Sequence, residues 1–250
     1  SAGHQPMLAG ENDDYAMVFN GEVYNFKELR AVLEQAGHHF CSKTDSEVVL
    51  HAYMEWGEAC VKRFNGMFAF AIWNKSSHTL FIARDRYGIK PLYYARTPKH
   101  FIFASEQKAI LEHPAFKPGV DVEALVEYFT FQNFFTDRTL LEGVKLFPPA
   151  HYGKLEVDSF GSSLNLHSYW DYNFREPDTP CDEREYIEEL DRLFYRAVKR
   201  QLVSDVELGA FLSGGMDSGA ITAIAAQQLP YIKTFTCGFD LNSASGLELA

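Results

Sequence analysis

The sequence predicts a mixed α/β chain in two parts: an α+β sandwich of four layers, α/β/β/α, followed by the start of a parallel-sheet α/β domain. Three observations carry this prediction. Residues 67–73, MFAFAIW, are apolar at every position, so that strand must be covered on both faces. MFAFAIW and TLFIARD, separated by the polar stretch 74–78, read as one hairpin, and PLYYAR with FIFAS as another. Two stacked antiparallel sheets with helices outside satisfy both demands. Toward the C-terminal end, 208–212, 218–228 and 232–238 read as a buried strand, a helix and a strand, a βαβ unit that implies parallel pairing. The expected division is 1–165 for the sandwich, 166–181 for a connection and 182–250 for the second domain.

Each element follows from its pattern. Residues 16–20 form a short apolar run, and Phe26, Leu29, Leu33 and Ala36 then recur at helical spacing until Gly37 supplies a stop. Val48, Val49, Ala52, Tyr53 and Trp56 give a second helix its apolar face, with Asp45 at its start and Gly57 at its end. From 157 to 181 the chain turns to Gly, Ser, Asn, Asp and Pro, including EPDTP, which marks the connection. Asp182 and Glu185 make a capping pair, and Tyr186, Ile187, Leu190, Leu193, Phe194, Ala197 and Val198 form one stripe expected to dock on a new core.

Composition excludes several classes. A net charge of -11 disfavours nucleic acid, whose binding rests on Lys and Arg neutralising phosphates. The longest apolar run is too short to cross a bilayer. Four cysteines without a CxxC pair suggest neither a zinc site nor a disulfide framework, which fits a cytoplasmic protein. His38 and His39 come with no metal-ligand pattern, and Arg84-Asp85-Arg86 reads as a structural charge cluster. The chain opens on Ser1 and stops at Ala250, and both ends are expected to be cut from something longer.

Strand LGAFL runs into Ser213-Gly214-Gly215-Met216-Asp217-Ser218 and then into a helix, so backbone N–H groups and a helix N-terminus converge on one concavity. Two glycines let the main chain approach an anion, Ser213 and Ser218 can donate to its oxygens, and Asp217 can hold Mg2+. The loop lacks the Lys of the P-loop pattern. The competing reading is a glycine turn that only permits tight packing, with Asp217 as N-cap. Leu212 and Cys237 end the two strands and would line an adenine side, or serve as core residues.

FNGEVYN sets Asn20-Gly21-Glu22 after a buried strand, and Asp45 opens a helix further on. Alone, these read more readily as a turn and an N-cap. Their order decides: GHQPM, FNGEVYNF, TDSEV, RFNGMFAFAIW, ARDRYGIKPLYY, FASEQKAIL, FPPAHY and GAFLSGGMDS occur in the succession of asparagine synthetases. SGGMDS also resembles the pyrophosphate loop, SGGxDS, of enzymes that adenylate a carboxylate or carbonyl. The sequence thus resembles the glutamine-hydrolysing asparagine synthetase family over essentially its whole length.

That resemblance implies a class II glutaminase domain of N-terminal-nucleophile (Ntn) hydrolase fold, followed by a PP-loop synthetase domain. By it, Asn20 and Gly21 form an oxyanion hole, Glu22 contacts glutamine, and Asp45 fixes the glutamine α-amino group. Leu212, Ser213, Gly214, Gly215, Asp217, Ser218, Cys237 and Gly238 are the implied ATP contacts, with Asp217 toward Mg2+. The implied activity is glutamine hydrolysis that supplies ammonia to an adenylated aspartate β-carboxylate, giving asparagine, glutamate, AMP and pyrophosphate. The alternative is a family member, amidating or cyclising, that acts on another carboxylate acceptor. Glutamine, ATP and aspartate are the expected partners, without nucleic acid or membrane, and a homodimer is compatible with this.

The sequence also departs from the family pattern. The family's nucleophile is an N-terminal Cys whose α-amino group acts as base. Ser1 aligns instead with a loop, and the Arg-containing segment that grips the glutamine carboxylate is expected upstream. After GFD, the Ser- and Gly-containing run SASGLELA differs from the shorter bacterial enzymes.

Overall fold

Strand Met67–Trp73 is covered on both sides. In the computed structural model, which describes residues 3–156, 164–176, 182–204 and 206–238, the chain divides into two units, Ser1–Phe174 and Arg175–Ala250. The first runs β1 (Met7–Ala9), β2 (Tyr15–Val23), α1 (Phe26–Gln35), α2 (Asp45–Trp56), a 3-10 turn (Gly57–Ala59), α3 (Cys60–Arg63), β3 (Gly66–Asn74) and β4 (Thr79–Arg84). It continues with β5 (Tyr93–Arg96), β6 (Phe101–Ala104), α4 (Gln107–Leu111), α5 (Val122–Phe131), β7 (Val144–Leu146), β8 (His151–Glu156) and β9 (Asn165–Ser168).

Two sheets result. One has six strands in the order β1-β2-β3-β4-β8-β9, the other three in the order β6-β5-β7, and every pairing in both is antiparallel. Alternation along β3 explains the layering: Phe68, Phe70 and Ile72 point one way, Ala69 and Ala71 the other. The large side chains pack with Phe81 and Ala83 against Leu29, Leu33, Val48, Val49, Ala52, Cys60 and Val61 of α1–α3. The alanines, small enough to let a second layer come close, meet Tyr94, Phe147, Phe101 and Phe103 of the other sheet and its flank. Beyond it, Ala95, Ile102 and Val144 pack on Ile110 of α4. Helices, sheet, sheet and helix are therefore the four layers read from the doubly apolar strand.

Arg84-Asp85-Arg86 proves to be a structural hub. Asp85, 1% exposed, accepts N–H bonds from Phe68, Tyr87, Ile89 and Lys90 at 3.0–3.1 Å. Arg84 turns the other way, donating to the carbonyls of Lys90, Phe147 and Gly88, and burial lowers its guanidinium from its ordinary value. Arg86 donates to the carbonyls of Phe64 and Lys62. Asp85→Ala would orphan four N–H donors beneath the sandwich. It is expected to destabilise the first unit by about 3 kcal/mol or more, a drop of roughly 10 °C in Tm. Calorimetry showing an unchanged Tm would contradict this role.

The second unit contains α6 (Glu183–Gln201), β10 (Gly209–Phe211), α7 (Met216–Gln228) and β11 (Lys233–Phe235), with β10 and β11 parallel. Asp182 caps α6, its carboxylate accepting from Arg184 N–H, one residue earlier than the pairing with Glu185 anticipates. Three expectations are corrected here. The α6 stripe docks only at its C-terminal end, where Val198 is buried and Tyr195 Oη accepts from Gln228 Nε2 of α7, while Tyr186, Ile187, Leu190 and Leu193 are exposed. The strand at 208–212 is not buried either, since Phe211 is 86% exposed. Helix α7 begins at Met216 rather than Ser218, because Gly215 takes the N-cap position. No helix among the described residues is long and apolar enough to cross a membrane.

Candidate functional site

The FNGEV segment lies on β2, paired to β3 with Asn20 opposite Ala69 and Gly21 opposite Phe68. No side chain fits at position 21: a Cβ there would sit 2.2 Å from the Met67 carbonyl oxygen and 2.7 Å from Phe68 Cα, and φ is +153°. Phe68 directs both its N–H and its C=O to Asp85, away from β2. In an antiparallel ladder this makes Gly21 and Phe68 a non-hydrogen-bonded pair, and the Gly21 N–H faces the outer edge of β2. Its neighbours of the same parity show the same direction. Phe19 N–H is taken by Gln5 Oε1 (2.7 Å), with Gln5 Nε2 returning to the Phe19 carbonyl, and Val23 N–H is taken by Asp45 Oδ2 (2.9 Å). Between them the Gly21 N–H meets no acceptor among the described residues.

Asn20 turns its side chain to the space between the sheets. Its Nδ2 donates to Ser105 Oγ (3.0 Å), across a cavity of about 250 Å³ that both residues line. Glu22 is exposed on the same strand. Asn20, Gly21 and Asp45 are thus brought together on one edge, and two strand residues, about 6.6 Å, separate the Gly21 N–H from the one that Asp45 holds. Among the described cysteines, none lines this cavity; Cys60 is sealed in the core, and burial drives its thiol upward.

Asp45 is not the N-cap. Thr44 is, its hydroxyl accepting from Glu47 N–H, and Asp45 opens α2 with its carboxylate reaching β2. Glu47, 8% exposed, binds the loop before the helix, accepting from Cys41 N–H (2.7 Å), Ser42 N–H (2.6 Å) and Ser42 Oγ. Burial alone would raise its carboxyl, but the Ser42 hydroxyl, the Cys41 and Ser42 N–H groups and the nearby His51 together hold it below the usual range. The sequence reading gives Gln5, Glu47 and Ser105 no role of their own and takes Asp85 only as part of a structural charge cluster. Glu47 leaves a local trace as the fourth residue of the capping box Thr44-Asp45-Ser46-Glu47.

On the other side of α2, His38 Nδ1 lies 2.9 Å from His51 Nδ1, and His38 Nε2 lies 3.0 Å from Glu55 Oε2. A ring-nitrogen contact of that length holds one proton, not two. Burial, then His38, lowers the His51 imidazole below its ordinary 6.5, with Glu47 opposing and Arg30 adding to the shift. The folded state therefore binds fewer protons than the unfolded chain below pH 6.5, and stability falls with pH there. A second loss follows below pH 4.5, as the Glu47 carboxyl is forced to protonate. Urea midpoints should fall between pH 7.5 and 5.5 and do so less in His51→Gln; a flat profile would contradict the assignment.

The phosphate-loop candidates lie in the second unit. Residues 213–217 are exposed between β10 and α7. Gly214 has φ +80°, and a Cβ built there meets nothing within 4 Å, so the loop is held open by conformation rather than crowding. Ser218 closes it, accepting from Ser213 N–H (3.2 Å) and donating to the Gly215 carbonyl (3.1 Å), with Ser213 Oγ 3.1 Å away. The first N–H groups of α7 have no intrahelical partner and point into this opening. Leu212 is tied to β11 by its N–H to Phe235 O (2.9 Å) and its carbonyl to Thr236 Oγ1 (2.6 Å). Cys237 is an exposed free thiol, and Gly238 is exposed beside it. Among the described residues no group of three His, Cys, Asp or Glu could hold a metal, so Asp217 could bind one only together with ligand oxygens.

These two arrangements find counterparts in known proteins. A glutamine amidotransferase domain model matches residues 1–170, and an asparagine synthase model matches residues 189–249. The chain belongs to the asparagine synthetase family of glutamine amidotransferases. It is 44% identical over 226 residues to glutamine-hydrolyzing asparagine synthetase 3 of Bacillus subtilis (strain 168), covering 90% of this chain and 36% of that protein. Against glutamine-hydrolyzing asparagine synthetase 1 of the same organism it is 38% identical over 248 residues, covering 99% of this chain and 38% of that protein. A solved glutamine phosphoribosylpyrophosphate amidotransferase from B. subtilis, complexed with ADP and GMP, superposes with a TM-score of 0.47 and 15% identity, over 98% of this chain and 51% of that one. The chain thus spans a little over a third of the length of these curated relatives.

Proposed function

We propose that the full-length protein is an ATP-dependent, glutamine-hydrolysing asparagine synthase, in which 1–165 belong to the glutaminase, 166–181 connect, and 182–250 open the synthetase domain. The observation that carries this reading is the open loop at 213–218 between strand and helix in the same chain as a Gly21 N–H that meets no acceptor among the described residues and is flanked by Asn20. The first is built for a polyphosphate, the second for a carbonyl oxygen gaining charge.

Glutamine would lie along the outer edge of β2. Asp45 pairs with its ammonium group, Glu22 adds a polar contact, and Asn20 Nδ2 with the Gly21 N–H receives the amide oxygen as it becomes an oxyanion. The attacking thiol is supplied, by the family pattern, from an N-terminal Cys outside this chain's described residues. In the second unit the amides of α7, Gly214, Gly215, Ser213 and Ser218 would hold the phosphates of ATP, Leu212, Cys237 and Gly238 would border the nucleotide, and Asp217 would share Mg2+ with phosphate oxygens. Keeping ammonia generation and carboxylate activation in one protein protects an amine that water protonates and an adenylate that water hydrolyses.

The partners proposed are small molecules: glutamine, ATP and an acceptor carboxylate, aspartate in the first instance. A cytoplasmic setting suits the free thiols of Cys41, Cys60 and Cys237. Amide-15N glutamine supplied with ATP, Mg2+ and aspartate to the full-length protein should yield asparagine labelled in its amide. Label recovered in a different amide or lactam would redirect the reading to another carboxylate acceptor.

A further inference from the structure

We infer that Ser105 is a positioning residue for the oxyanion hole, a role that rests on the assignment of Asn20 above. Asn20 stands on β2 of the six-stranded sheet. Ser105 follows β6 at the edge of the three-stranded one, 85 residues away in sequence, and the 3.0 Å bond from Asn20 Nδ2 to Ser105 Oγ ties the two sheets across the cavity. The rest of the lining is apolar, Ala69, Leu92 and Phe103 among it, apart from Gln5, whose amide is bonded to the Phe19 backbone, so the serine hydroxyl is the polar group that faces the Asn20 amide from the three-stranded sheet.

An asparagine amide is two-faced. Its NH2 end stabilises an oxyanion, whereas its Oδ1 end repels one, and the two ends exchange by a half-turn of the terminal torsion. The hydroxyl of Ser105 engages one N–H and holds the amide plane. In the observed arrangement the second N–H of the same group is left in that plane for the substrate oxygen. Without Ser105 the amide has only methyl and ring carbons around it on that side, and its donor is no longer pre-aimed, so the loss falls on the transition state and not on ground-state binding. Asp45, which would grip the glutamine ammonium group, is bonded to Val23 N–H, and its tie is independent of Ser105.

The experiment uses the full-length protein and follows glutamate release and, separately, synthesis driven by added ammonia. Ser105→Ala is expected to lower glutaminase kcat about 10-fold or more, with KM for glutamine within about 2-fold and ammonia-driven synthesis unchanged. Ser105→Thr, which restores the hydroxyl, should recover kcat to within about 3-fold. Ser105→Cys, of nearly the same volume but a weaker acceptor, carries the test should the Ala variant fail to fold. In a double-mutant cycle, the losses from Asn20→Ala and Ser105→Ala should not add, because both act through one amide. If Asn20→Ala loses about 100-fold and Ser105→Ala loses nothing, the positioning role is wrong and the oxyanion assignment stands. If neither loses, the assignment of Asn20 itself falls, and this inference with it.

Discussion

Asn20→Ala is expected to lower glutaminase turnover of the full-length protein by about two to three orders of magnitude, while synthesis from added ammonia continues at its normal rate. The size of the loss follows from where the amide points. Asn20 is half-buried between two sheets, in a cavity whose other walls are mostly apolar, where a preorganised donor acts with little competition from water. Its partner donor, the Gly21 N–H, is fixed by the ladder itself, since the pairing of Phe68 with Asp85 turns that N–H to the strand edge. Gly21→Ala should therefore be worse than Asn20→Ala. A methyl group 2.2 Å from the Met67 carbonyl oxygen forces β2 and β3 apart, so folding yield should fall along with turnover. Steady-state glutamate release at saturating glutamine checks both, and an Asn20→Ala loss below about threefold would remove the oxyanion role.

Asp217→Ala is expected to abolish ATP–pyrophosphate exchange, to a residual of about one part in a hundred or less, without lowering the glutaminase activity of the first unit. Asp217 is exposed at the second position of α7, beside a loop whose glycine at φ +80° leaves the space above it empty. A carboxylate would not be placed at that mouth to receive a polyphosphate directly. It makes sense there as a ligand to a cation lying between it and the phosphate oxygens. Asp217→Asn, which keeps shape and loses charge, should behave like the Ala variant. Exchange that persists in both would leave the loop as a turn with no nucleotide role.

What the sequence discloses and what it withholds divide along the range of the interactions. Residues 67–73 betray their layered surroundings because an unbroken apolar strand has no solvent face, and β3 is in fact buried from Phe68 to Ile72. Helices α1 and α2 are legible from their spacing, and the Ser213–Ser218 loop from its glycines between strand and helix. The short strands β7 and β9 and the helices α4 and α5 are not legible, since three to five residues, or a stretch such as 122–131 whose apolar residues outnumber Glu123, Glu127 and Thr130 and spread round the helix, give periodicity little to work on. For Asp45 the sequence leaves an N-cap as the competing reading; Thr44, one residue earlier, takes that place, and only the tertiary bond to Val23 shows where the Asp45 carboxylate goes. Ser105 and Gln5 lie in the motifs FASEQKAIL and GHQPM, but nothing local says what either bonds to. Their partners, Asn20 and Phe19, are 85 and 14 residues distant, and one common hydroxyl or amide in a strand-rich sequence does not announce such a bond. The α6 stripe shows the converse: its pattern is plain, yet Ile187, Leu190 and Leu193 remain exposed among the described residues.

Pyrophosphate release by the full-length protein, with ATP and Mg2+, measured with and without aspartate, is the most direct trial of the proposal that this chain couples a glutamine site to a nucleotide loop. Aspartate should stimulate release severalfold with either glutamine or ammonia as nitrogen source, and Asp217→Ala should erase the stimulation in both cases. Release that is indifferent to aspartate, or that survives in Asp217→Ala, would contradict it.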